Sequence, residues 1–340
     1  MTKRETTLQP HGVPRMYGDV PPFMAVPHRK SLDGAAADAV VIGMPYDGIA
    51  TFRGGATRRA PQEIRKFSLL FGGYNFDWDM DVLGALDVCD IGDVDVVPGD
   101  NAASYTRLES RVAEICGAGA APVMFGGDHG VTYPAVKAVA ELLERTGGGP
   151  LGVIVFDTHL DLSEHLNEDR LTRASPVKRI CELPQVDSST VAMIGIKGPR
   201  NPPEWTPLYR EFGMAIYSNQ MVIDRGMAAV AEAALKRASP DGRPVYVSVD
   251  IDAVDPAWAP GTNSPEPGGL TGREIIEGVR ICCRNGFAGF DVVEVSPDFD
   301  SASGQTSLLA ARLGAEALAC LAAKKQGRVD AWKTAHGAGG

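Results

Sequence analysis

The sequence predicts an α/β fold in which a mostly parallel sheet of eight strands is covered by helices on both faces. Eight short apolar runs alternate along the chain with segments of helical spacing, which is the order expected of a parallel sheet. Hydrophobic residues make up 44% of the chain, enough for a large core. No internal repeat or second domain is evident, and α/β folds often reach 340 residues as one domain.

The predicted strands are short runs of β-branched and other apolar residues, typical of strands that are buried on both faces. The runs at 121–125 and 151–156 flank a helical segment, so the three together form a βαβ unit. In chain order, the strands are predicted at 39–44, 85–91, 121–125, 151–156, 190–196, 214–218, 245–249 and 290–295.

Six longer segments have helical spacing. The first follows Pro61, which fits an opening helical turn because no N–H is needed there. The segment 103–116 is amphipathic, and 131–145 connects two predicted strands. In chain order, the helices are predicted at 62–70, 103–116, 131–145, 221–238, 271–285 and 304–323.

The chain divides into three parts. Residues 1–37 are Pro-rich with little periodicity and predict an N-terminal arm, lying over the body or over a neighbouring subunit. Residues 38–325 form the single α/β domain. Residues 326–340 are Gly-rich and predict a flexible tail.

The composition excludes several classes of function. A formal net charge of -10 argues against binding to nucleic acid or to an anionic membrane surface. The sequence has no signal peptide, and we identify no apolar run long enough to span a bilayer. Six cysteines without CxxC spacing predict buried, reduced thiols. The cytoplasm is therefore the expected location.

Three ligand-type side chains follow the predicted strand 151–156. Asp157, His159 and Asp161 are spaced at i, i+2 and i+4, so in extended backbone they point to the same side. Two carboxylates and an imidazole at a strand end suit a divalent metal. Taken alone, the stretch is also compatible with a polar strand end in which one aspartate caps the next helix.

Two other strand ends favour the metal interpretation. After strand 121–125, a glycine pair permits a tight turn that presents His129 at the same edge of the sheet. After strand 245–249, Asp250 and Asp252 again stand at i and i+2. Ligands of open α/β sheets gather at the carboxyl ends of the strands. The predicted metal ligands are His129, Asp157, His159, Asp161, Asp250 and Asp252.

Three short motifs carry a resemblance to a known family. The motifs GGDHG at 126–130, DTHLD at 157–161 and SVDIDAVDP at 248–256 resemble the three metal-binding motifs of the ureohydrolase (arginase/agmatinase) family, in the same order. The similarity extends from about residue 40 to 321. It implies a three-layer arginase-like fold and an agmatinase-like, metal-dependent amidinohydrolase.

Charge counting favours two metal ions, because four aspartates balance two divalent cations and leave both imidazoles neutral. An oxygen-rich ligand set suits manganese, with nickel as the second choice, and the absence of cysteine argues against structural zinc. The resemblance implies that the two ions share Asp157 and Asp250. One ion would add His129 and Asp161, and the other would add His159 and Asp252.

The resemblance also implies a mechanism. A metal-bound hydroxide attacks the guanidinium carbon, and Asp161 carries the proton to the leaving nitrogen. Glu294, after the last strand, matches the carboxylate that binds the substrate guanidinium. An exposed glutamate at a strand end is the alternative interpretation of Glu294.

The chain departs from the family pattern in two loops that face the substrate. Where agmatinase-like members have a proton-shuttling histidine, this chain has Arg173. His165 is the nearest imidazole and the candidate replacement, although an exposed loop histidine is the favoured interpretation. Lys197 stands where the family usually has arginine.

The altered loops bear on the substrate, a small guanidino compound. Arg173 would repel the cationic tail of agmatine but pair with the carboxylate of a guanidino acid. An N-substituted guanidine or a biguanide, as in metformin-type hydrolases, is the favoured substrate, with apolar contacts from Phe52, Phe71 and Tyr74. Family resemblance implies a homo-trimer or hexamer, or a hetero-oligomer with a paralogue.

Two other classes are weighed against this function. A low-activity paralogue that serves as a structural subunit of a heteromeric ureohydrolase is the first. The related deacetylase branch, which uses one zinc, is the second, and the additional ligands His129, Asp161 and Asp252 argue against it.

Overall fold

Ten short strands form in the computed structural model, which describes residues 21–32, 37–48, 56–166 and 168–336. Eight of them are the predicted apolar runs, and a two-residue pair, β2 and β3, forms a small antiparallel ribbon. The strands are β1 Ala39–Gly43, β2 Tyr74–Asn75, β3 Met80–Asp81, β4 Val88–Asp93, β5 Ala121–Phe125, β6 Gly152–Phe156, β7 Val191–Ile196, β8 Ala215–Ser218, β9 Val245–Asp250 and β10 Gly289–Val293.

The eight main strands form one sheet in the order β4-β1-β5-β10-β9-β6-β7-β8. Every pairing in this sheet is parallel. The predicted eight-stranded parallel sheet is therefore confirmed. β10 and β9 lie between β5 and β6, so the strand ends that carry the predicted ligands are neighbours at the centre of the sheet.

Helices cover both faces of the sheet, as predicted. Alternate strand residues point to opposite faces, so Val41 and Phe125 join one core while Ile42 and Met124 join the other. Helices α1, α8, α9 and α10 cover the first core, and α3, α4 and α5 cover the second. The helices are α1 Ala60–Ser68, α2 Val82–Ala85, α3 Asn101–Gly117, α4 Thr132–Thr146, α5 Pro176–Cys181, α6 Trp205–Glu211, α7 Asn219–Arg225, α8 Met227–Ala238, α9 Gly272–Cys283 and α10 Gln305–Lys325.

Two predicted elements differ in their bounds. The helix predicted at 221–238 is two helices, α7 and α8, because Gly226 adopts φ +81 and so interrupts the helical backbone. The strand predicted at 85–91 begins later, at Val88. The preceding residues form the short helix α2, whose first turn is capped by the Asp81 side chain.

Both terminal segments contact the body of the protein where they are described. Phe23 is fully buried and packs at a tilt against Phe125, with ring centroids 4.7 Å apart. In the predicted tail, Trp332 packs against the core and His336 stacks on Phe76 at 3.9 Å. This part of the tail is held by aromatic contacts rather than free. The division into arm, domain and tail stays a prediction.

One helix in the described part of the chain, α10, is long and apolar enough to cross a membrane by length and composition. Arg312 and Glu316 lie inside this helix, so it is not an uninterrupted apolar run. The helix packs against α1 and α9, and 78% of its most apolar window is buried inside the structure. Buried core helices of soluble proteins pass the same test.

A buried ion pair ties α1 to β4. The Arg65 guanidinium donates to Asp90 through Nε at 2.8 Å and Nη2 at 3.0 Å, and both side chains are almost fully buried. Asp90 also accepts the Phe23 backbone N–H at 2.8 Å. Asp90 therefore joins the arm, the first helix and the sheet.

Arg65→Ala should destabilise the protein by about 3–5 kcal/mol, because Asp90 would stay buried without its cation. Arg111→Ala is the matched control, since Arg111 pairs with Glu114 on a partly exposed helix face and should cost about 0.5 kcal/mol or less. Urea unfolding followed by circular dichroism measures both. Similar midpoints for the two variants would show that the Asp90 pair does not hold these elements together.

Candidate metal centre and active site

The predicted ligands after β6 lie in a turn, not in extended strand. β6 ends at Phe156, and Asp161 adopts a left-handed conformation with φ +48. The His159 backbone N–H donates to Asp157 Oδ1 at 2.6 Å, which tightens the turn. The three side chains converge because of this turn, and not through the alternation of an extended strand that the sequence suggested.

The glycine pair after β5 places His129 beside this turn. A Cβ at Gly127 would lie 1.7 Å from the Tyr46 carbonyl oxygen, so only glycine allows the backbone to pass there. Asp128 accepts the N–H groups of Gly48 and Gly130, each within 3.1 Å, and so fixes the turn. His129 then begins the one-turn helix His129–Val131 that leads into α4.

The end of β9 is joined to the end of β6 by hydrogen bonds. The Thr158 hydroxyl donates to the Asp252 carbonyl oxygen at 2.8 Å. The Asp252 N–H donates to Asp250 Oδ1 at 2.9 Å. Both aspartates are buried. These bonds hold the two acidic turns side by side.

Five of the six predicted ligands come together in two overlapping clusters. His129, Asp157 and Asp161 form one, and Asp157, His159 and Asp252 form the other, with potential ligand atoms in each within 4.8 Å of one another. Asp157 belongs to both clusters. Every one of these side chains is buried in the structure.

Within the clusters, each imidazole turns its Nδ1 atom towards carboxylates. His129 Nδ1 lies 2.8 Å from Asp161 Oδ2 and 3.1 Å from Asp157 Oδ2. His159 Nδ1 lies 3.1 Å from Asp252 Oδ2. Asp250 borders the first cluster, with Oδ2 at 3.4 Å from His129 Nδ1. This arrangement leaves the two Nε2 atoms pointing away from the acidic centre.

The electrostatics of the clusters show a shortage of positive charge. Burial lowers the pKa of His159, but Asp252 and Asp157 outweigh it and raise that pKa to about 12. Burial raises the pKa of Asp157, but hydrogen bonds with His129 and His159 lower it to about 2. Burial and the charge of Asp157 raise the pKa of Asp161. The carboxylates thus favour the protonated, positively charged form of the His159 imidazole.

Divalent ions fit this donor set. Burial and the charges of Asp252 and Asp157 hold the pKa of Asp250 well above its usual value, so the anionic form is costly without a cation. Asp157 Oδ2 is buried, with the His129 Nδ1 atom 3.1 Å away. Buried carboxylates of this kind are satisfied by a coordinated metal. The division of ligands between two ions stays a prediction.

Glu294 lies beside the metal-ligand clusters rather than on the surface. It is 3% exposed and accepts the His129 backbone N–H at 2.9 Å. Its backbone is left-handed, with φ +61. Burial and the charge of Asp128 raise its pKa to about 8, against the opposing effect of Arg173. A buried carboxylate with free acceptor positions is suited to a cationic ligand.

The two loop residues singled out in the sequence have different environments. Arg173 is half-buried, and its Nη1 atom is buried without a hydrogen-bond partner among the described residues. Its charge lowers the pKa of both Asp128 and Glu294, so the guanidinium faces the site. His165 is exposed, as the favoured interpretation expects.

Lys197 contacts a loop of the site. Its Nζ atom donates to the Glu266 carbonyl oxygen at 2.8 Å and so braces that loop. The segment 51–55, which includes Phe52, falls outside the described residues.

Sequence reasoning missed three polar residues around the site. Asn263 Nδ2 lies 3.4 Å from Glu294 Oε2, and Glu266 Oε2 lies 3.9 Å from His159 Nε2. The Tyr105 hydroxyl is buried without a partner among the described residues. The first two lie in a Pro- and Gly-rich stretch, 260–269, between β9 and α9. Polar side chains in such a loop next to a ligand strand were the available signal.

A parallel α/β sheet with buried carboxylates and imidazoles at the carboxyl ends of its central strands defines a metallohydrolase-like protein. Comparison with known proteins then gives the family. The family model described as "Arginase family" matches residues 37–320, and the chain belongs to this family. The predicted enzyme class, an amidinohydrolase that cleaves C–N bonds of guanidino compounds, is confirmed.

Relatives support the assignment along nearly the whole chain. Proclavaminate amidinohydrolase of Streptomyces clavuligerus is 37% identical over 311 residues, covering 92% of this chain and 96% of that protein. Its solved structure superposes with a TM-score of 0.82 at 36% identity, covering 91% and 99% of the two chains. Guanidinopropionase of Pseudomonas aeruginosa is 36% identical over 318 residues, covering 93% and 95%.

Asp157→Asn should abolish binding of both metal ions, because Asp157 belongs to both ligand clusters. His129→Asn should loosen one ion, and added manganese should partly restore it. Metal analysis after dialysis against graded manganese concentrations measures both effects. The matched control is Asp241→Asn, at a highly exposed position, which should bind two ions like the wild type. Equal losses in both variants that added metal does not restore would contradict the predicted coordination.

Proposed function

We propose that this chain hydrolyses a C–N bond of a small guanidino acid to give urea and an amine, using two divalent ions, manganese or nickel. The observation that carries the proposal is the buried Glu294 carboxylate beside the ligand clusters, within electrostatic range of the Arg173 cation. A carboxylate receives the guanidinium end of such a substrate, and a guanidinium receives its acid end.

In this proposal, different residues of the site bind the substrate and transfer the proton. Glu294 accepts hydrogen bonds from the substrate guanidinium and so fixes the position of the reacting carbon. Asn263 steadies the Glu294 carboxylate. Asp161 receives a proton from the attacking water and delivers it to the leaving nitrogen. The two metal ions, when bound, supply a nucleophile by lowering the pKa of water towards neutrality.

The environment of Arg173 supports an anionic substrate tail. Its buried Nη1 atom has no partner among the described residues, so a substrate carboxylate would satisfy it. The same cation disfavours agmatine, whose tail is positively charged. The relative guanidinopropionase, named for a guanidino derivative of propionic acid, supports this choice.

The structure weakens the case for an N-substituted guanidine or biguanide, the class that the sequence analysis favours. Phe71 and Tyr74, the expected apolar contacts, line a groove of about 250 Å³ with Arg312, and none of the predicted metal ligands lines it. Phe52 lies outside the described residues. Among the described residues, the apolar side chains expected to contact an alkyl group therefore do not share this groove with the metal ligands.

A low-activity structural subunit remains the alternative function, and the complete set of six ligands argues against it. Assembly as a homo-trimer, a homo-hexamer or a hetero-oligomer with a paralogue is part of the proposal. Light scattering of the purified chain, alone and with any co-encoded paralogue, distinguishes these states.

A urea-release screen should give the highest kcat/KM for a short guanidino acid, because Glu294 and Arg173 match both of its ends. The substrates are guanidino acids of different length, agmatine, an N-alkylguanidine and a biguanide, each with manganese or nickel. In labelled water, the heavy oxygen should appear in the urea, since water is the nucleophile. Unlabelled urea would rule out hydrolysis, and a preference for the biguanide would restore the other substrate class.

Arg173→Ala should raise KM for a guanidino acid by about 10- to 100-fold, the scale of a lost charge-assisted hydrogen bond, with a smaller effect on kcat. His165→Ala should change kcat by less than about tenfold, because an exposed loop imidazole is not in position for proton transfer. Steady-state kinetics of both variants measure this. A kcat loss of about a hundredfold at His165, with unchanged metal content, would make His165 the proton shuttle.

A further inference from the structure

The side chains of His159 and Glu266 face each other, and each has a buried polar atom without a hydrogen-bond partner among the described residues. His159 Nε2 and Glu266 Oε2 are both buried, and neither has a hydrogen-bond partner in the described part of the chain. The two atoms lie 3.9 Å apart. Burying a donor and an acceptor without partners costs about 1–3 kcal/mol each, so such pairs are rare in native proteins.

The orientation of the His159 ring decides which nitrogen must donate. Nδ1 faces Asp252 and Asp157, at 3.1 Å and 3.6 Å, and this is the nitrogen that points into the acidic centre. A neutral imidazole that binds a metal through one nitrogen carries its proton on the other. That proton would sit on Nε2, and Glu266 Oε2 is the carboxylate oxygen in front of it.

The backbone around Glu266 is built to keep its side chain in this position. The Glu266 side chain lies across Gly198, where a Cβ would stand 1.2 Å from Glu266 Oε1. Gly198 also has φ +78, so a larger residue would be strained as well as crowded. Lys197 holds the Glu266 carbonyl oxygen at 2.8 Å.

A second contact fixes this loop relative to the ligand turn. The Asn201 amide donates to the carbonyl oxygens of Thr158 at 3.0 Å and Lys197 at 2.7 Å. Its own oxygen accepts the Leu160 N–H at 2.8 Å. Asn201 therefore clamps the residues on both sides of His159 to the loop that carries Lys197.

We propose that Glu266 is a positioning residue for the predicted metal ligand His159. Its carboxylate would accept a hydrogen bond from the Nε2–H group of His159 and so hold the Nδ1 atom towards the ion that His159 would bind together with Asp157 and Asp252. Lys197 and Asn201 set the distance between the two side chains. Partners of this kind fix the orientation of a ligating histidine and increase its basicity. The inference rests on the two-metal centre of the proposed function.

Glu266→Ala should weaken binding of one of the two manganese ions by about 10- to 100-fold and leave the other unchanged. The manganese affinity of Glu266→Gln should lie between those of Glu266→Ala and the wild type, because the uncharged amide oxygen still accepts a hydrogen bond from the Nε2–H group. Calorimetric titration of the metal-free, full-length chain with manganese measures both affinities. Electron paramagnetic resonance at intermediate manganese concentration should show isolated ions in Glu266→Ala where the wild type shows coupled pairs.

The matched control is Glu109→Ala, which removes a carboxylate on α3 that pairs with Lys137 on α4. This variant should retain both wild-type manganese affinities. Thermal unfolding of the metal-free variants identifies any loss of folding, and Glu266→Gln decides the matter if Glu266→Ala does not fold. Wild-type affinities in both Glu266 variants, or equal weakening of both ions, would overturn the inference. Failure of the wild-type chain to bind two ions would instead reject the metal centre of the proposed function.

Discussion

The structure depends on a concentration of buried negative charge at the carboxyl edge of its sheet. Four aspartates and two imidazoles stand within two overlapping clusters and their border. Isolated buried carboxylates are too costly to remain ionised, so they take up protons or bind cations. Burial and the charges of neighbouring aspartates raise the pKa of Asp250 and that of Asp161. The energetic need for divalent ions thus arises from the placement of the ligands themselves.

That placement relies on unusual backbone conformations at two residues of the site. Asp161 and Glu294 both adopt positive φ, which is unfavourable for residues other than glycine. Surrounding contacts hold each in place, since the Glu294 N–H donates to the Gly127 carbonyl oxygen at 2.9 Å. Strain of this kind persists where the structure around it is rigid, and it concentrates at functional sites. The left-handed turns aim both carboxylates inward at the end of their strands.

The loops that follow the strands form a second layer around this centre. Asn201 joins the turn after β6 to the loop after β7, and Lys197 joins that loop to Glu266. Lys197 therefore supports the loop that carries Glu266. Arg173 is the substitution that faces Glu294, and it gives the pocket a positive charge. Lys197 thus contacts a supporting loop, whereas the charge of Arg173 acts on Glu294.

The sequence by itself determined the sheet, its eight strands and the six ligand-type residues at three strand ends. Apolar runs and i, i+2 spacing are local properties, and the parallel βαβ order then brings strand ends to one edge. The break between α7 and α8 was also local, at Gly226, but helical spacing alone does not reveal a glycine with positive φ. Only the tertiary structure decided the rest. Glu266 Oε2 lies 3.9 Å from His159 Nε2 although 107 positions separate the two residues, and the charge of Arg173 lowers the pKa of Glu294 across 121 positions. Proximity of this kind depends on packing between segments that are distant in the sequence, and the spacing of residues along the chain does not reveal it.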